Sequence, residues 1–180
     1  QLPRSGRLPE KHERGDLRVK EQGHVAFILL GANLGDRQSN ILQALQYIQV
    51  RANIVKISSF YETEPLEGSD QPEYLNMACQ IETNDGPKEL LQFLKWVERR
   101  MGRTVSEKYA PRSIDIDLLL YDDLIIRESD LWIPHPRMHE RAFTLIPLAE
   151  IAHDLVHPVL NETIEALAKK IDASTVKKVN

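Results

Sequence analysis

The order of strand and helix patterns along the chain is the feature that most constrains its fold. Short apolar runs rich in β-branched and aromatic residues predict strands at 25–30, 54–61, 74–83 and 111–121. Apolar residues at helical spacing predict one helix from 36 to about 50 and another that begins at Gly86-Pro87. The order strand-helix-strand-strand-helix-strand is typical of a ferredoxin-like α/β (α+β) sandwich. In that fold, helices pack on one face of a mixed, mostly antiparallel sheet.

The first 23 residues differ in composition from the rest of the chain. They are dense in charge, contain two prolines and three glycines, and have only scattered aliphatic residues. We therefore expect 1–23 to be a flexible arm, or a linker or remnant beside a neighbouring domain. The remaining residues, 24–180, have the length of one ordinary domain.

Composition argues against several classes of protein. Lys and Arg number 23 against 27 Asp and Glu, which gives a formal net charge of −4. The chain therefore lacks the overall positive charge expected of a protein that binds nucleic acid. Cys79 is the single cysteine, which makes an intrachain disulfide impossible and favours a reducing compartment. No apolar run approaches the ~20 residues of a membrane span. We expect a cytoplasmic protein that binds neither nucleic acid nor membrane.

Two carboxylates interrupt the apolar run at 111–121. Asp115 and Asp117 are two residues apart, and because side chains alternate along a strand they share one face, roughly 6–7 Å apart. Strands disfavour Asp, so the pair calls for compensating charge. The cationic and titratable residues nearby in sequence are Arg103, Lys108, Arg112, His135, Arg137, His139 and Arg141. An acid pair beside such a cluster is what a nucleoside triphosphate with bound Mg²⁺ needs.

The same pattern has other interpretations. An Asp-x-Asp strand also serves metal-dependent nucleotidyl transferases and nucleases, and the pair could simply line a solvated sheet face. The predicted fold is common among non-catalytic ligand-binding modules as well. The sequence has no Gly-x-x-x-x-Gly-Lys-[Ser/Thr] loop and no evident nucleophile beside a base, which excludes a Walker-type kinase and disfavours a phospho-enzyme.

Five blocks resemble, in the same order, the family of 6-hydroxymethyl-7,8-dihydropterin pyrophosphokinases. They are LGANLGD at 30–36, SSFYETEPL at 58–66, DQPEYLN at 70–76, KYAPRSIDIDLL at 108–119 and PHPRMHERAF at 134–143. The resemblance extends over about 25–158 and implies a ferredoxin-like fold. It also implies transfer of a pyrophosphoryl group from ATP to the hydroxymethyl group of the pterin, with release of AMP, in folate biosynthesis. Since family members occur joined to other folate enzymes, it allows for a fused or flanking partner of that kind.

The resemblance also implies roles for single residues. Asp115 and Asp117 match the ligands of two Mg²⁺ ions bound with ATP, and with Arg103 and Arg112 they form the expected catalytic group. The positions that match the ATP side are Glu98, Arg103, Lys108, Tyr109, Arg112, Leu118, His135 and Arg141. The positions that match the pterin side are Gly31, Asn33, Thr63, Leu66, Tyr74, Asn76 and Phe143. Taken singly, nearly all of these are better explained as ordinary core or surface residues; their shared order and spacing favour the functional interpretation.

Overall fold

A sheet of six strands forms the centre of the computed structural model, which describes residues 23–65, 70–102 and 113–179. The strands of the described part are β1 (His24–Ala32), β2 (Asn53–Ile57), β3 (Tyr61–Thr63), β4 (Tyr74–Thr83), β5 (Asp115–Tyr121), β6 (Ile126–Arg127), β7 (Trp132–Ile133) and β8 (Val176–Lys178). The sheet order is β5-β1-β4-β3-β8, β2 also pairs with β4, and β6 and β7 form a separate hairpin. The described pairings are antiparallel.

Helices cover both faces of this sheet. They are α1 (Arg37–Ile48), α2 (Pro87–Arg100), α3 (Ala142–Ala152) and α4 (Ile164–Lys169). The helices α1 and α2, which the periodicity predicted, share one face as expected, around a core that includes Leu30 and Leu94. On the opposite face, α3 and α4 enclose a second core that includes Leu29 and Leu145. Neighbouring residues of β1 thus enter different cores, because side chains alternate along a strand. The predicted fold class is confirmed.

Local sequence signals explain where α1 and α2 begin. The side chain of Asp36 accepts a hydrogen bond from the backbone N–H of Ser39 at 3.1 Å and caps α1. Pro87 occupies the first turn of α2, where its missing N–H has no cost, and the side chain of Glu89 accepts from the Gly86 N–H at 3.2 Å. None of the helices in the described ranges has the length and hydropathy needed to cross a lipid bilayer.

The structure divides one predicted strand into two. The run at 54–61 becomes β2 and β3, which pair with different parts of β4. Ser58 separates them: its N–H donates to the Ala78 carbonyl and its hydroxyl accepts from the Ala78 N–H, both at 2.9 Å. A side chain thus replaces one rung of the ladder, which bends the chain without leaving Ala78 unpaired.

A β-bulge lies in the middle of β5. Leu118 pairs with Ile28 and Leu120 pairs with Phe27, so Leu119 is an extra residue between two consecutive pairs. Leu118 packs into the α1/α2 core, whereas Leu119 and Leu120 both pack into the α3/α4 core. The bulge therefore allows three consecutive leucines to be buried.

Candidate active site

The carboxylates of β5 lie where the alternation of the strand predicts. Asp115 and Asp117 are half-buried, whereas Ile116 and Leu118 are buried on the other side of the strand. Asp117 pairs with Leu29 across the ladder, so the two carboxylates are on the α3/α4 side of the sheet. Both line an open cleft of about 710 Å³, a volume within the range of small-molecule sites.

The wall of this cleft combines predicted residues with others that sequence reasoning missed. Its lining residues are Leu91, Lys95, Glu98, Asp115, Ile116, Asp117, Leu118, the segment 128–132, His135, Pro136 and Arg141. Most of the unpredicted ones are Leu91 and Lys95 on α2 and the segment 128–132, which leads from β6 into β7. They have no local sequence signal, because only the tertiary fold brings them to β5.

Glu98 connects α2 to the backbone between the two carboxylates. Its side chain is 4% exposed, and its Oε1 atom accepts a hydrogen bond from the Ile116 N–H at 2.7 Å. Among the described strands, β5 is at the edge of the sheet, so no neighbouring strand offers a backbone carbonyl to this N–H. The buried carboxylate of Glu98 therefore provides the hydrogen-bond acceptor that a neighbouring strand would otherwise provide. It also fixes the strand segment that carries Asp115 and Asp117.

His135 is attached to the bulge of β5. Its N–H donates to the Leu119 carbonyl at 2.9 Å, and its Nδ1 atom accepts from the Arg137 N–H at 3.2 Å. Burial, together with the charges of Arg141 and Arg137, lowers the pKa of His135 to about 4. The ring is therefore neutral near pH 7, and because Nδ1 accepts, its proton is on Nε2 and can be donated to an anionic oxygen.

Arg141 connects the two halves of the site. Burial and the charge of Arg137 lower the pKa of the Arg141 guanidinium, while Asp117 and Glu140 act in the opposite direction. Its guanidinium carbon also lies 5.4 Å from the centre of the Phe143 ring. The cation thus interacts electrostatically with a carboxylate of the predicted metal site and lies against an aromatic residue of the predicted pterin side.

A row of small and polar residues connects β4, β1 and β5. Gly31 is the cross-strand partner of Asn76 on one side and of Asp115 on the other. A Cβ atom on Gly31 would lie 2.7 Å from Asn76 Oδ1, closer than real contacts allow. Asn76 is 4% exposed, and its Nδ2 atom donates to Thr63 Oγ1 at 3.2 Å. The absence of a side chain at Gly31 therefore leaves the space that the Asn76 amide occupies on the neighbouring strand.

The other described residues of the predicted pterin side are Asn33, Tyr74 and Phe143. Asn33 is almost fully buried, and its Nδ2 atom donates to Gln71 Oε1 at 3.1 Å. Tyr74 is half-buried and pairs with Thr63 across the ladder. Phe143 is half-buried and packs against the α3/α4 core. Their contacts with substrate stay predictions.

Several predicted residues lie outside the described part of the chain: Leu66, Arg103, Lys108, Tyr109 and Arg112. Their predicted roles remain predictions. In the described ranges, no group of three or more His, Cys, Asp or Glu side chains is placed to hold a metal ion. A metal at Asp115 and Asp117 would therefore share its coordination with substrate oxygens or water, as Mg²⁺ commonly does.

Comparison with known proteins identifies the family. The family model for 7,8-dihydro-6-hydroxymethylpterin-pyrophosphokinase (HPPK) matches residues 27–153. The chain belongs to the HPPK family. This confirms the family inferred from the five sequence blocks, and with it a pterin pyrophosphokinase function in folate biosynthesis.

Bacterial relatives of this HPPK chain match over most of their length. The 2-amino-4-hydroxy-6-hydroxymethyldihydropteridine pyrophosphokinase of Bacillus subtilis is 42% identical over 134 residues, which cover 73% of this chain and 80% of that protein. The Haemophilus influenzae enzyme of the same name is 40% identical over 149 residues, covering 80% of this chain and 93% of that protein.

Other relatives are much longer than this HPPK chain. The folic acid synthesis protein FOL1 of Dictyostelium discoideum is 40% identical over 140 residues, 78% of this chain but 21% of that protein. A crystal structure of Plasmodium falciparum HPPK-DHPS matches with a TM-score of 0.68 at 18% identity, over 83% of this chain and 45% of that chain. The structural match shows the shared fold.

Proposed function

We propose that this HPPK domain transfers the pyrophosphoryl group of ATP to the hydroxymethyl group of 6-hydroxymethyl-7,8-dihydropterin and releases AMP. The observation that carries the proposal is the row Asn76–Gly31–Asp115 across β4, β1 and β5. It makes the residues that match the pterin side direct neighbours of those that match the metal side. Two substrates bound at these neighbouring positions would meet at the end of β5, as direct transfer requires.

The donor atoms of β5 suit a hard divalent cation. Asp115 and Asp117 are carboxylates on one half-buried face, and such oxygens together with phosphate oxygens are preferred ligands of Mg²⁺. We propose that they hold two Mg²⁺ ions with ATP. When bound, the ions would neutralise phosphate charge and lower the pKa of the attacking hydroxyl.

The chain's own residues would hold and orient the two substrates. Asn76 would hydrogen-bond the pterin, with Tyr74 and Phe143 against its rings, while Arg141 and neutral His135 would contact the triphosphate. The hydroxyl oxygen then forms a bond to the β-phosphorus, the bond from that phosphorus to the oxygen shared with the α-phosphate breaks, and AMP leaves with that oxygen. The hydroxyl proton is released to solvent. Catalysis of this kind depends mainly on alignment and charge stabilisation.

We also propose a setting for the domain. The bifunctional folate synthesis protein of Pisum sativum contains a region that is 40% identical to this chain over 136 residues, or 26% of its length. Such relatives support a domain that can be flanked by another folate-pathway enzyme, with 1–23 as an arm or linker and 24–180 as the pyrophosphokinase domain. A cytoplasmic location fits the single cysteine.

Product analysis tests the reaction directly. The protein is incubated with ATP, Mg²⁺ and the hydroxymethyl-dihydropterin, and the nucleotides and pterins are separated. We expect AMP and pterin pyrophosphate in equal amounts, and none without the divalent cation. Formation of ADP would overturn the pyrophosphoryl transfer, and a pterin carrying AMP would instead identify a nucleotidyl transferase.

Replacement of the carboxylates tests the metal site. Asp115→Asn and Asp117→Asn each keep the side-chain shape and remove a metal ligand, so we expect the rate at saturating Mg²⁺ to fall about a hundredfold or more. The free energy of unfolding without metal should change by less than about 1 kcal/mol, because both side chains are partly solvated. Asp123→Asn, on the exposed turn after β5, is the matched control and should leave the rate unchanged. Activity lost only in proportion to unfolded protein would place the metal elsewhere.

A further inference from the structure

We infer that Arg37, the first residue of α1, is a positioning residue for the pterin side of the active site, an inference that rests on the proposed function. Its guanidinium bridges two separate parts of the chain. Nη2 donates to Glu62 Oε1 at 2.6 Å, and Nη1 donates to the Glu73 carbonyl at 3.0 Å. One planar cation thus connects α1 with β3 and with the residue that precedes β4.

The two acceptors are next to residues of the predicted pterin side. Glu62 precedes Thr63 at the end of β3, and Glu73 precedes Tyr74 at the start of β4. Thr63 and Tyr74 are cross-strand partners, and Thr63 accepts the hydrogen bond from the amide of Asn76. Arg37 therefore holds the Glu62 side chain on β3 and the Glu73 backbone carbonyl before β4, the two strands from which these side chains project.

Arg37 acts from the opposite face of the sheet. Glu62 is the cross-strand partner of Leu75, which belongs to the α1/α2 core, whereas Asp117 and its partner Leu29 are on the α3/α4 side. The guanidinium is therefore placed to orient the strands from behind, and substrate contact is left to other side chains. This separation makes it a positioning residue.

Several hydrogen bonds fix the turn at the start of α1, from which Arg37 projects. Asp36 caps the helix, and the Nδ2 atom of Asn40 donates to the Leu34 carbonyl at 2.9 Å. The same turn is connected to the chain before β4 a second time, by the hydrogen bond from Asn33 to Gln71. Because this turn is held by several hydrogen bonds, the Arg37 side chain that projects from it can fix the positions of Glu62 on β3 and Glu73 before β4.

A purely structural salt bridge is the alternative explanation. The side chains of Arg37 and Glu62 are 28% and 33% exposed, and partly exposed ion pairs contribute little to stability. A positioning role predicts a loss confined to the pterin, whereas a structural role predicts a small loss of stability that affects both substrates alike. The two explanations therefore differ in what they predict for ligand binding.

The test compares Arg37→Gln and Arg37→Lys with the parent protein. Binding of the dihydropterin is measured at saturating Mg²⁺ and a non-hydrolysable ATP analogue, and binding of the analogue is measured separately, with the melting temperature of each variant. We expect Arg37→Gln to weaken pterin binding about tenfold and to raise KM for the pterin, with binding of the analogue unchanged within about twofold. Arg37→Lys should recover part of the loss, because one ammonium cannot reproduce the planar fork.

Arg51→Gln is the matched control. Arg51 forms an ion pair with Asp85, 2.8 Å long, in which the two side chains are 46% and 18% exposed, and neither residue lines the cleft. It should lower the melting temperature at least as much as Arg37→Gln does, because Asp85 is more buried than Glu62, and it should leave pterin binding as in the parent. Unchanged pterin binding in Arg37→Gln, or equal weakening of both ligands, would overturn the positioning role. Failure of the parent itself to bind the pterin would instead show that the proposed function is wrong, and the inference would fall with it.

Discussion

At Gly31 a hydrogen atom in place of a side chain determines the arrangement of the site. Asn76 and Asp115 flank this residue on the two adjacent strands, and the Asn76 amide occupies the space that a Cβ atom would need. The requirement is for a close approach rather than for an unusual backbone angle, because Gly31 pairs regularly with both neighbouring strands and its φ is not positive.

Gly31→Ala should therefore displace the Asn76 amide. We expect pterin binding to weaken about tenfold to a hundredfold, the effect of leaving one buried polar group of the pterin unpaired. Gly23→Ala is the control, because its new Cβ atom would have its nearest contact at 3.6 Å. Isothermal titration with the pterin, with melting curves for both variants, measures the effect. Normal pterin binding in Gly31→Ala would show that the Asn76 amide has no part in recognition.

His135 should make the stability of the protein depend on pH. Because burial and the nearby arginines lower its pKa to about 4, the unfolded chain binds a proton at this residue between about pH 6.5 and 4, and the folded chain does not. Stability should fall as pH decreases through that window, by about 1–2 kcal/mol given the partial exposure of the ring.

His135→Asn isolates this contribution, because Asn Oδ1 can still accept the Arg137 N–H but does not titrate in this window. Between pH 7 and pH 4 the free energy of unfolding of the parent should fall more than that of the variant. His153→Asn, on the exposed turn after α3, should follow the parent. Parallel curves for parent and His135→Asn would show that the folded ring titrates normally.

Among the elements, α2 combines two tasks in one helix. Leu90, Leu94 and Val97 bury its apolar face, as the helical spacing predicted, and Glu98 is buried with them at the margin of that face. The helix thus contributes to the core and also holds the edge of β5 by its hydrogen bond to the Ile116 N–H. Core packing and the geometry of the carboxylate pair are therefore coupled through α2.

Glu98→Ala should separate these tasks. Loss of the acceptor leaves a buried N–H unpaired, so we expect destabilisation of about 1–3 kcal/mol and a loss of activity beyond the unfolded fraction. Glu98→Gln retains an oxygen that can accept from Ile116 and should recover most of the stability. Chemical denaturation and turnover at saturating substrates measure the two effects. An unchanged unfolding midpoint in Glu98→Ala would mean that water replaces the carboxylate.

At the scale of the whole molecule, sequence periodicity predicted the long elements and missed the short ones. The strand at 74–83 was predicted with its observed bounds. Both ends of α1 and the start of α2 were predicted to within two residues. The hairpin strands β6 and β7 and the strand β8 have two or three residues each, too few for a period to be visible. In α3, apolar residues surround the helix and Pro147 interrupts the pattern, so the sequence indicated only a helical end.

The site followed a similar division. Site residues in the five blocks were predicted because the order of the blocks resembles a family, and the two aspartates also because alternation places them on one face. The cleft segment 128–132 and Arg37 depend on packing between elements distant in sequence. No local sequence pattern marks a guanidinium whose hydrogen bonds reach β3 and the start of β4, because the fold alone brings these segments together.

The bulge in β5 has a consequence for insertions and deletions. Leu118, Leu119 and Leu120 are identical, so loss of any one of their codons yields the same shortened chain. In a regular strand such a loss would turn every following side chain to the opposite face. Here it would only remove the extra residue: Asp115, Asp117 and Tyr121 would keep their present sides.

The shortened chain should therefore still fold, at a cost of about 2–5 kcal/mol for one buried leucine. It would also lose the bulge at which the His135 N–H is bonded to a β5 carbonyl. The loss of one leucine would thus be a local change that alters how the His135 segment is attached to β5 and leaves the order of strands intact.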